Sequence, residues 1–228
     1  LDASAGIDDQ WATKTLVPSG SGSAMTVKGV PVLRGRVGIM LRAHDRANGA
    51  TDYPTPYRIR LYVDGKEYFS STAMRFADTL GWHIRIDRDH QLMQNLKGEY
   101  RKLYREEGNL LEFYMPQQQG AGTLSAELLG GGRKAIRIVA EDLAGNTSTL
   151  LMNVMLAHDN RLEHSATETE MNIGILQSKG CKSVSLLDAT KSNAVQISTW
   201  APAVAATGVL VDLRKHRGKT LRLVTEDI

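Results

Sequence analysis

Cysteine is almost absent. Cys181 is the only one in 228 residues, so no disulfide can close within the chain and the fold must rest on its packed core. Aromatic residues are scarce too, at 6% with three Phe and three Trp. No run of about 18 apolar residues occurs, which excludes a membrane-spanning helix. Charge of one sign is also lacking. The 28 Lys and Arg stand against 25 Asp and Glu, a net +3, and without clustering this surplus does not mark a nucleic-acid binder. No His-x-His or Cys-x-x-Cys occurs, no Ser sits in Gly-x-Ser-x-Gly, and no lysine loop cradles a phosphate. What is present is a composition that folds: 42% hydrophobic and 23% charged residues, enough for one large domain or two small ones. The first residues, Leu1-Asp2-Ala3-Ser4, carry neither Met nor a charged and apolar leader. The chain therefore reads as a mature product or an excised fragment.

Organisation follows from the turns. Residues 1–26 are polar and small-rich, with Ser19-Gly20-Ser21-Gly22-Ser23 at their end. They read as a flexible lead, partly docked through Trp11. From Val27 the apolar period shortens to two. Val37, Ile39, Leu41 and Ala43 alternate with other residues, as do Ile59, Leu61 and Val63, the pattern of half-buried strands. Asp64-Gly65 marks a two-residue hairpin turn to Lys66–Ser71. Trp82–Ile86 also alternates and reads as a strand. Over Asp89–Glu107 the spacing of Leu92, Leu96, Tyr100 and Leu103 is near-helical, with a break at Gly98. Strands are expected again at Leu110–Met115, Gly122–Leu129, Lys134–Glu141 and Ser148–Leu156. Gly130-Gly131-Gly132 and Ala144-Gly145-Asn146 supply the turns. These signals predict a mainly β fold, an antiparallel immunoglobulin-like sandwich over residues 27–157 with a short helical insert. Residues 158–170 lack an apolar period and read as a linker. Residues 171–228 hold five short strand candidates, too few for an independent core of good size. They read as a small or incomplete β domain that packs on the first, borrows a strand from residues 1–26, or begins a longer domain.

Candidate chemistry is thin. His83 and Asp87 stand four apart, but on a strand they cannot share a metal with no further ligand. His158 and His164 lie in the polar linker. Asp45, Asn48 and Asp52 surround Asn48-Gly49, where turn chemistry accounts for them as well as calcium does. Asp142, Gly145 and Asn146 make a hairpin device. Cys181 reads as a small residue at a turn after Lys179-Gly180. The arginines carry more. Arg34, Arg36, Arg42, Arg58 and Arg60 point outward if their apolar neighbours point inward, Arg85, Arg88, Arg101 and Arg105 add others, and on adjacent strands they would form one basic sheet face for an anionic polymer or acidic protein.

The first domain also resembles a known family. The order Arg34-Gly35-Arg36-Val37-Gly38-Ile39, Ala43-His44-Asp45-Arg46-Ala47-Asn48-Gly49, Tyr57–Gly65, Arg85-Ile86-Asp87, Asn109–Tyr114 and Ile136–Asn146 is similar to the immunoglobulin-like accessory region of envelope-associated, lysostaphin-type zinc metallopeptidases of Gram-negative bacteria. The likeness covers residues 27–157. It implies an exported protein of the periplasm or cell surface, acting near peptidoglycan. It brings no active site. That family uses His-x-x-x-Asp and a later His-x-His, and His83 and Asp87 match only the first spacing.

Together these readings give a non-catalytic binding or scaffolding module with no catalytic residues, no metal and no cofactor. Its expected partner is peptidoglycan, another anionic envelope polymer or an envelope protein, bound by the five arginines. The alternative is a structural subunit of a surface assembly or adhesin, joined through the final β segment. An enzyme with a metal site built from scattered His, Asp and Glu is the third reading.

Overall fold

The computed structural model describes residues 5–8, 10–44, 55–73, 75–96, 99–158, 162–175, 181–190, 193–201 and 209–227. The expectations for Asp45, Asn48-Gly49, Asp52, Gly98 and Lys179-Gly180, and for the side chain of His164, lie outside the described residues. The chain divides into two compact units. One comprises Leu1–Leu124 and Arg133–Leu156, the other Ser125–Gly132 and Ala157–Ile228. The fold is mainly β, with antiparallel sheets and a few short helices.

The larger unit is built on β1 (Gly6–Ile7), β2 (Ser19–Ser21), β3 (Ala24–Thr26), β4 (Val32–Arg34), β5 (Met40–Leu41), β6 (Arg58–Val63), β7 (Lys66–Thr72), β8 (Arg101–Lys102), β9 (Tyr114–Met115), β10 (Gly132–Glu141) and β11 (Thr147–Ala157). Its main sheet runs β1-β4-β11-β10-β6-β7-β9, with β3 added on β11 and β2 on β3. All its recorded registers are antiparallel except β3 with β11, which is parallel. Register and alternation agree. Leu61 lies opposite Ile138 and Phe69, and Val63 opposite Ile136. All five side chains are buried. One sheet face is thereby apolar. The Asp64-Gly65 turn takes positive φ at both residues, 49° and 83°, as a hairpin matching strand twist requires.

The core face is covered by residues 99–124, whose Leu103, Leu111 and Leu124 are fully buried. Gly122 shows how closely this layer sits. A Cβ there would stand 2.3 Å from the Leu103 carbonyl oxygen and 2.9 Å from the Phe69 ring. The Tyr68 hydroxyl donates to the Thr123 carbonyl at 2.7 Å, tying sheet to cover.

Several expected elements change form here. Trp82–Ile86 is helical, a 3-10 turn over Asp78–His83 running into α1 (Ile84–Asp87). Trp82 is 59% exposed while His83 and Asp87 are buried, the reverse of an apolar-inward strand. The helix α2 (His90–Leu96) fits the near-helical spacing, and Arg101–Lys102 beyond it pairs with β5 as a strand. Of Leu110–Met115 only Tyr114–Met115 is a strand. Gly122–Leu129 is a turn, a single bridge from Leu124 to Val37, and α3 (Ala126–Leu129). Ser125 caps α3 by accepting from the Leu128 amide at 3.3 Å, which favours a helical start over a strand. Gly38 likewise accepts no side chain, since a Cβ would lie 2.3 Å from the Tyr104 ring. In the lead, Trp11 is 66% exposed. Docking comes instead from β1 on β4 and from Asp8, whose Oδ1 accepts the Val32 amide at 2.8 Å.

The smaller unit is a pair of three-stranded antiparallel sheets. The order β12 (Leu162–Ala166), β13 (Glu170–Ile175), β16 (Val209–Asp212) forms one, and β15 (Val195–Trp200), β14 (Cys181–Asp188), β17 (Leu221–Asp227) the other. Met171, Ile173 and Val211 of the first pack with Leu186 of the second, and Ile197, Trp200 and Leu223 close around them. The linker reading fails over Leu162–Ala166, which pairs with β13 through five registered residues. A polar outer strand needs no apolar period when main-chain bonds hold it. Residues 162–166 supply an additional strand here, while the described strands of residues 1–26 pair in the sheet of the larger unit. Cys181 begins β14.

Candidate functional site

Of the five predicted arginines, the fold brings Arg58 and Arg60 together. On β6, Ile59, Leu61 and Val63 are buried, so Arg58, Arg60 and Tyr62 take the opposite face. Arg34 is on β4, with β11 and β10 between it and β6. Arg36 is exposed beyond β4, and Arg42 follows β5, where its Nε donates to His44 Nε2 at 3.4 Å. The β6 arginines meet a residue the sequence reading did not include. Glu141 lies opposite Arg58 on β10, and its Oε2 is 2.7 Å from Arg60 Nη2 and 3.9 Å from Arg58 Nη1. Arg58 Nε also donates to Thr72 Oγ1 at 3.2 Å. A second omitted residue, Arg137, lies opposite Tyr62, its guanidinium 3.7 Å from the ring centroid. The alternation Ile136-Arg137-Ile138 carries the same outward signal as the arginines of β6. With Glu67 of β7 opposite Tyr62, three guanidiniums and two carboxylates share this stretch of sheet face, an excess of one positive charge.

The second concentration of polar groups is inside. His83, Asp87, Arg101, Asn109 and Ser71 are all at most 3% exposed, and Tyr114 is 2% exposed. The Asp87 carboxylate is used on both sides. Oδ1 accepts the Tyr114 hydroxyl at 2.6 Å, and Oδ2 is 3.5 Å from Arg101 Nε. Arg101 also donates to Ser71 Oγ at 2.7 Å and to the Pro56 carbonyl at 3.1 Å. Asn109 Nδ2 donates to the Tyr114 oxygen at 2.7 Å, while its Oδ1 accepts the Leu111 amide. His83 Nδ1 accepts the Leu110 amide at 3.2 Å. Its Nε2 has no hydrogen-bond partner among the described residues. Burial, and then the adjoining Asp87 carboxylate, push the Tyr114 phenol upward. Burial pulls the neighbouring Arg88 guanidinium down, although it pairs with Glu99.

This cluster has the character of a fastener. It joins α1 (Asp87), β8 (Arg101), β7 (Ser71), β9 (Tyr114) and the loop at Asn109. A buried charge pair holds only when further hydrogen bonds satisfy it, and Asp87 and Arg101 have them. His83 and Asp87 are therefore spent on packing contacts, His83 with the Leu110 amide and Asp87 with the Tyr114 and Arg101 side chains. The sequence reading missed this group because strand alternation put Trp82 inside and counted Arg101 toward the basic face, whereas Arg101 is buried on Asp87, Ser71 and Pro56. The available signal was the i,i+4 spacing itself, which aligns two side chains on one helical face.

Elsewhere, His158 Nδ1 lies 3.9 Å from Glu127 Oε1. Asp142 Oδ1 accepts the Asn146 amide at 2.8 Å and Gly145 has φ 88°, the hairpin device the sequence predicts. Among the described residues no three or more His, Cys, Asp or Glu side chains converge as metal ligands, and no helix is long and apolar enough to cross a membrane.

No protein-family profile matches the chain, and no curated protein does. Among solved structures, dimeric latent PorU from Porphyromonas gingivalis aligns over 98% of this chain at 10% identity and TM-score 0.24. The aligned region is 20% of that protein's chain, so this chain spans about a fifth of its length. A likeness at this level carries no argument about fold or function.

Proposed function

We propose that the chain is a non-catalytic binding and scaffolding module of the bacterial envelope, in the periplasm or at the cell surface, accessory to a peptidoglycan metallopeptidase. The observation that supports the reading best is the use of Asp87. Its two oxygens are engaged by Tyr114 and Arg101 inside the larger unit, so the one spacing shared with the peptidase motif serves packing. The outward face of β6 and β10, where Arg58, Arg60 and Arg137 outnumber Glu141 and the adjoining Glu67, suits an anionic partner. Peptidoglycan, another anionic envelope polymer or an acidic envelope protein has that character. Cosedimentation of the whole chain with purified peptidoglycan sacculi tests this. The chain is expected in the pellet, with no soluble fragments released. Absence from the pellet, or release of fragments that a chelator abolishes, overturns the proposal.

One observation favours assembly as a second reading. Val195 and Leu210 are 65% and 66% exposed on β15 and β16, the outermost strands of their sheets, and outer strands with exposed apolar groups invite pairing between chains. Light scattering at high concentration decides it, since a strict monomer removes this reading.

A further inference from the structure

The outward face of the larger sheet carries more than charge. Ile136, Ile138, Met152 and Val154 turn into the core, so Arg137, Leu151 and Asn153 turn the other way along β10 and β11. Together with Thr26 of β3 and the hairpin turn at Gly65, these residues line a shallow cleft of about 340 Å³. We infer that this cleft takes the carboxylate-bearing end of a short peptide, with Arg137 as the partner of the carboxylate.

Among the described residues, Arg137 is the only charged one lining the cleft. Its guanidinium rests on the Tyr62 ring and makes no ion pair among the described residues, while Glu141, four residues along β10, is taken by Arg60 and Arg58. A guanidinium stacked on an aromatic face keeps its in-plane N–H groups available for a bidentate carboxylate. Leu151, 47% exposed, gives an apolar wall. Thr26 and Asn153 offer a hydroxyl and an amide to peptide groups. The volume is at the small end for ligand sites, which suits two or three residues and not a long acyl chain. A single cation likewise suits one terminal carboxylate better than a phosphate polymer. Each chemical feature of the cleft thus has a counterpart in a peptide end. The inference does not rest on the envelope reading, because it concerns any peptide with a free terminal carboxylate.

The test is an NMR titration of the whole chain with acetyl-Ala-Leu-Ala bearing a free carboxylate, and with its C-terminal amide. Saturable shifts are expected at Gly65, Ala135–Arg137 and Leu151–Asn153. The amide should bind about tenfold more weakly. Arg137→Gln should lose the same tenfold for the acid and leave the amide unchanged. Arg137→Lys, which keeps the charge without the planar fork, should fall between, and supplies the answer if the Gln variant does not fold. Arg133→Gln, exposed on the same strand and outside the cleft, should bind as the unaltered chain does. Equal binding of acid and amide, no effect of either Arg137 substitution, or no shifts at millimolar peptide overturns the inference. Tighter binding of a fatty acid or an oligophosphate overturns the peptide assignment. A chain that stays out of the sacculus pellet yet binds the peptide acid refutes the envelope proposal and keeps this one.

Discussion

The two units bury different things. The larger one closes its sheet with a layer in which Asp87, Arg101, Asn109, Ser71 and Tyr114 lie together beneath the surface, partnered side chain to side chain, with His83 buried alongside on a backbone amide. In the six-stranded body of the smaller one, the buried residues among those described are Met171, Ile173, Val184, Leu186 and Val211, all apolar. The polar layer is directional. It fixes where residues 99–124 sit because its hydrogen bonds from Arg101, Asn109 and Tyr114 run to specific acceptors. The apolar core is non-directional and tolerates substitution of similar volume. One unit is therefore specified by a few contacts whose loss is costly, the other by the sum of many small ones.

The largest expected effect comes from breaking the polar layer. Asp87→Ala leaves Arg101 buried without its carboxylate and Tyr114 without its acceptor. It should destabilise the larger unit by about 3–5 kcal/mol, the usual cost of removing one partner of a buried ion pair. Urea unfolding measures this, and a loss under about 1 kcal/mol would erase the contrast between the units. Next, Leu186→Ala empties the centre of the smaller core and should cost about 2–4 kcal/mol there, visible as faster amide exchange in β13, β14 and β16.

The alternations of β6 and β10, the Asp64-Gly65 turn, the Asp142–Asn146 turn and the near-helical stretch now seen as α2 were legible in the sequence. Each is set by neighbours within a few residues. The segment Trp82–Asp87 was not. Its apolar and polar residues alternate as in a strand, and only contacts from Arg101, Leu110 and Tyr114, 14 to 27 residues away, make it favourable to bury the polar ones and expose Trp82. Leu162–Ala166 was missed for the opposite reason: pairing on β13 is a backbone matter, which side-chain periodicity does not report. In the candidate site, Arg58 and Arg60 were readable from alternation. Glu141 and Arg137 become their neighbours only through the register of β10 on β6.

The pH limits sharpen the comparison further. In the folded state Tyr114 holds its proton more tightly than a free phenol, owing first to burial and then to Asp87. Its contribution is complete below about pH 10, the ordinary value, and is lost as pH rises above it. Tyr114→Phe should flatten that alkaline limb of the larger unit. In the smaller unit, hydrogen bonds from Thr190 and then Lys219 bring Asp188 from 3.8 to about 2. Its contribution is present above about pH 3.8 and is lost as pH falls toward about 2. Asp188→Asn should flatten this acid limb and leave the alkaline one unchanged. Thermal melts across pH check both. The smallest effect belongs to the surface pair. Arg60→Gln should cost at most about 1 kcal/mol, since Glu141 keeps Arg58 within reach, and a denaturant melt would show it.

The most direct test of the central claim is native-state hydrogen exchange on Asp87→Ala beside the unaltered chain, with sacculus binding measured on the same samples. If Asp87 is a fastener, protection falls across Arg101–Leu124 and at β7, while the β13, β14 and β16 amides keep theirs. Unchanged protection over Arg101–Leu124 would contradict the account, most plainly if sacculus binding fell at the same time, because Asp87 would then be serving a ligand and not the fold.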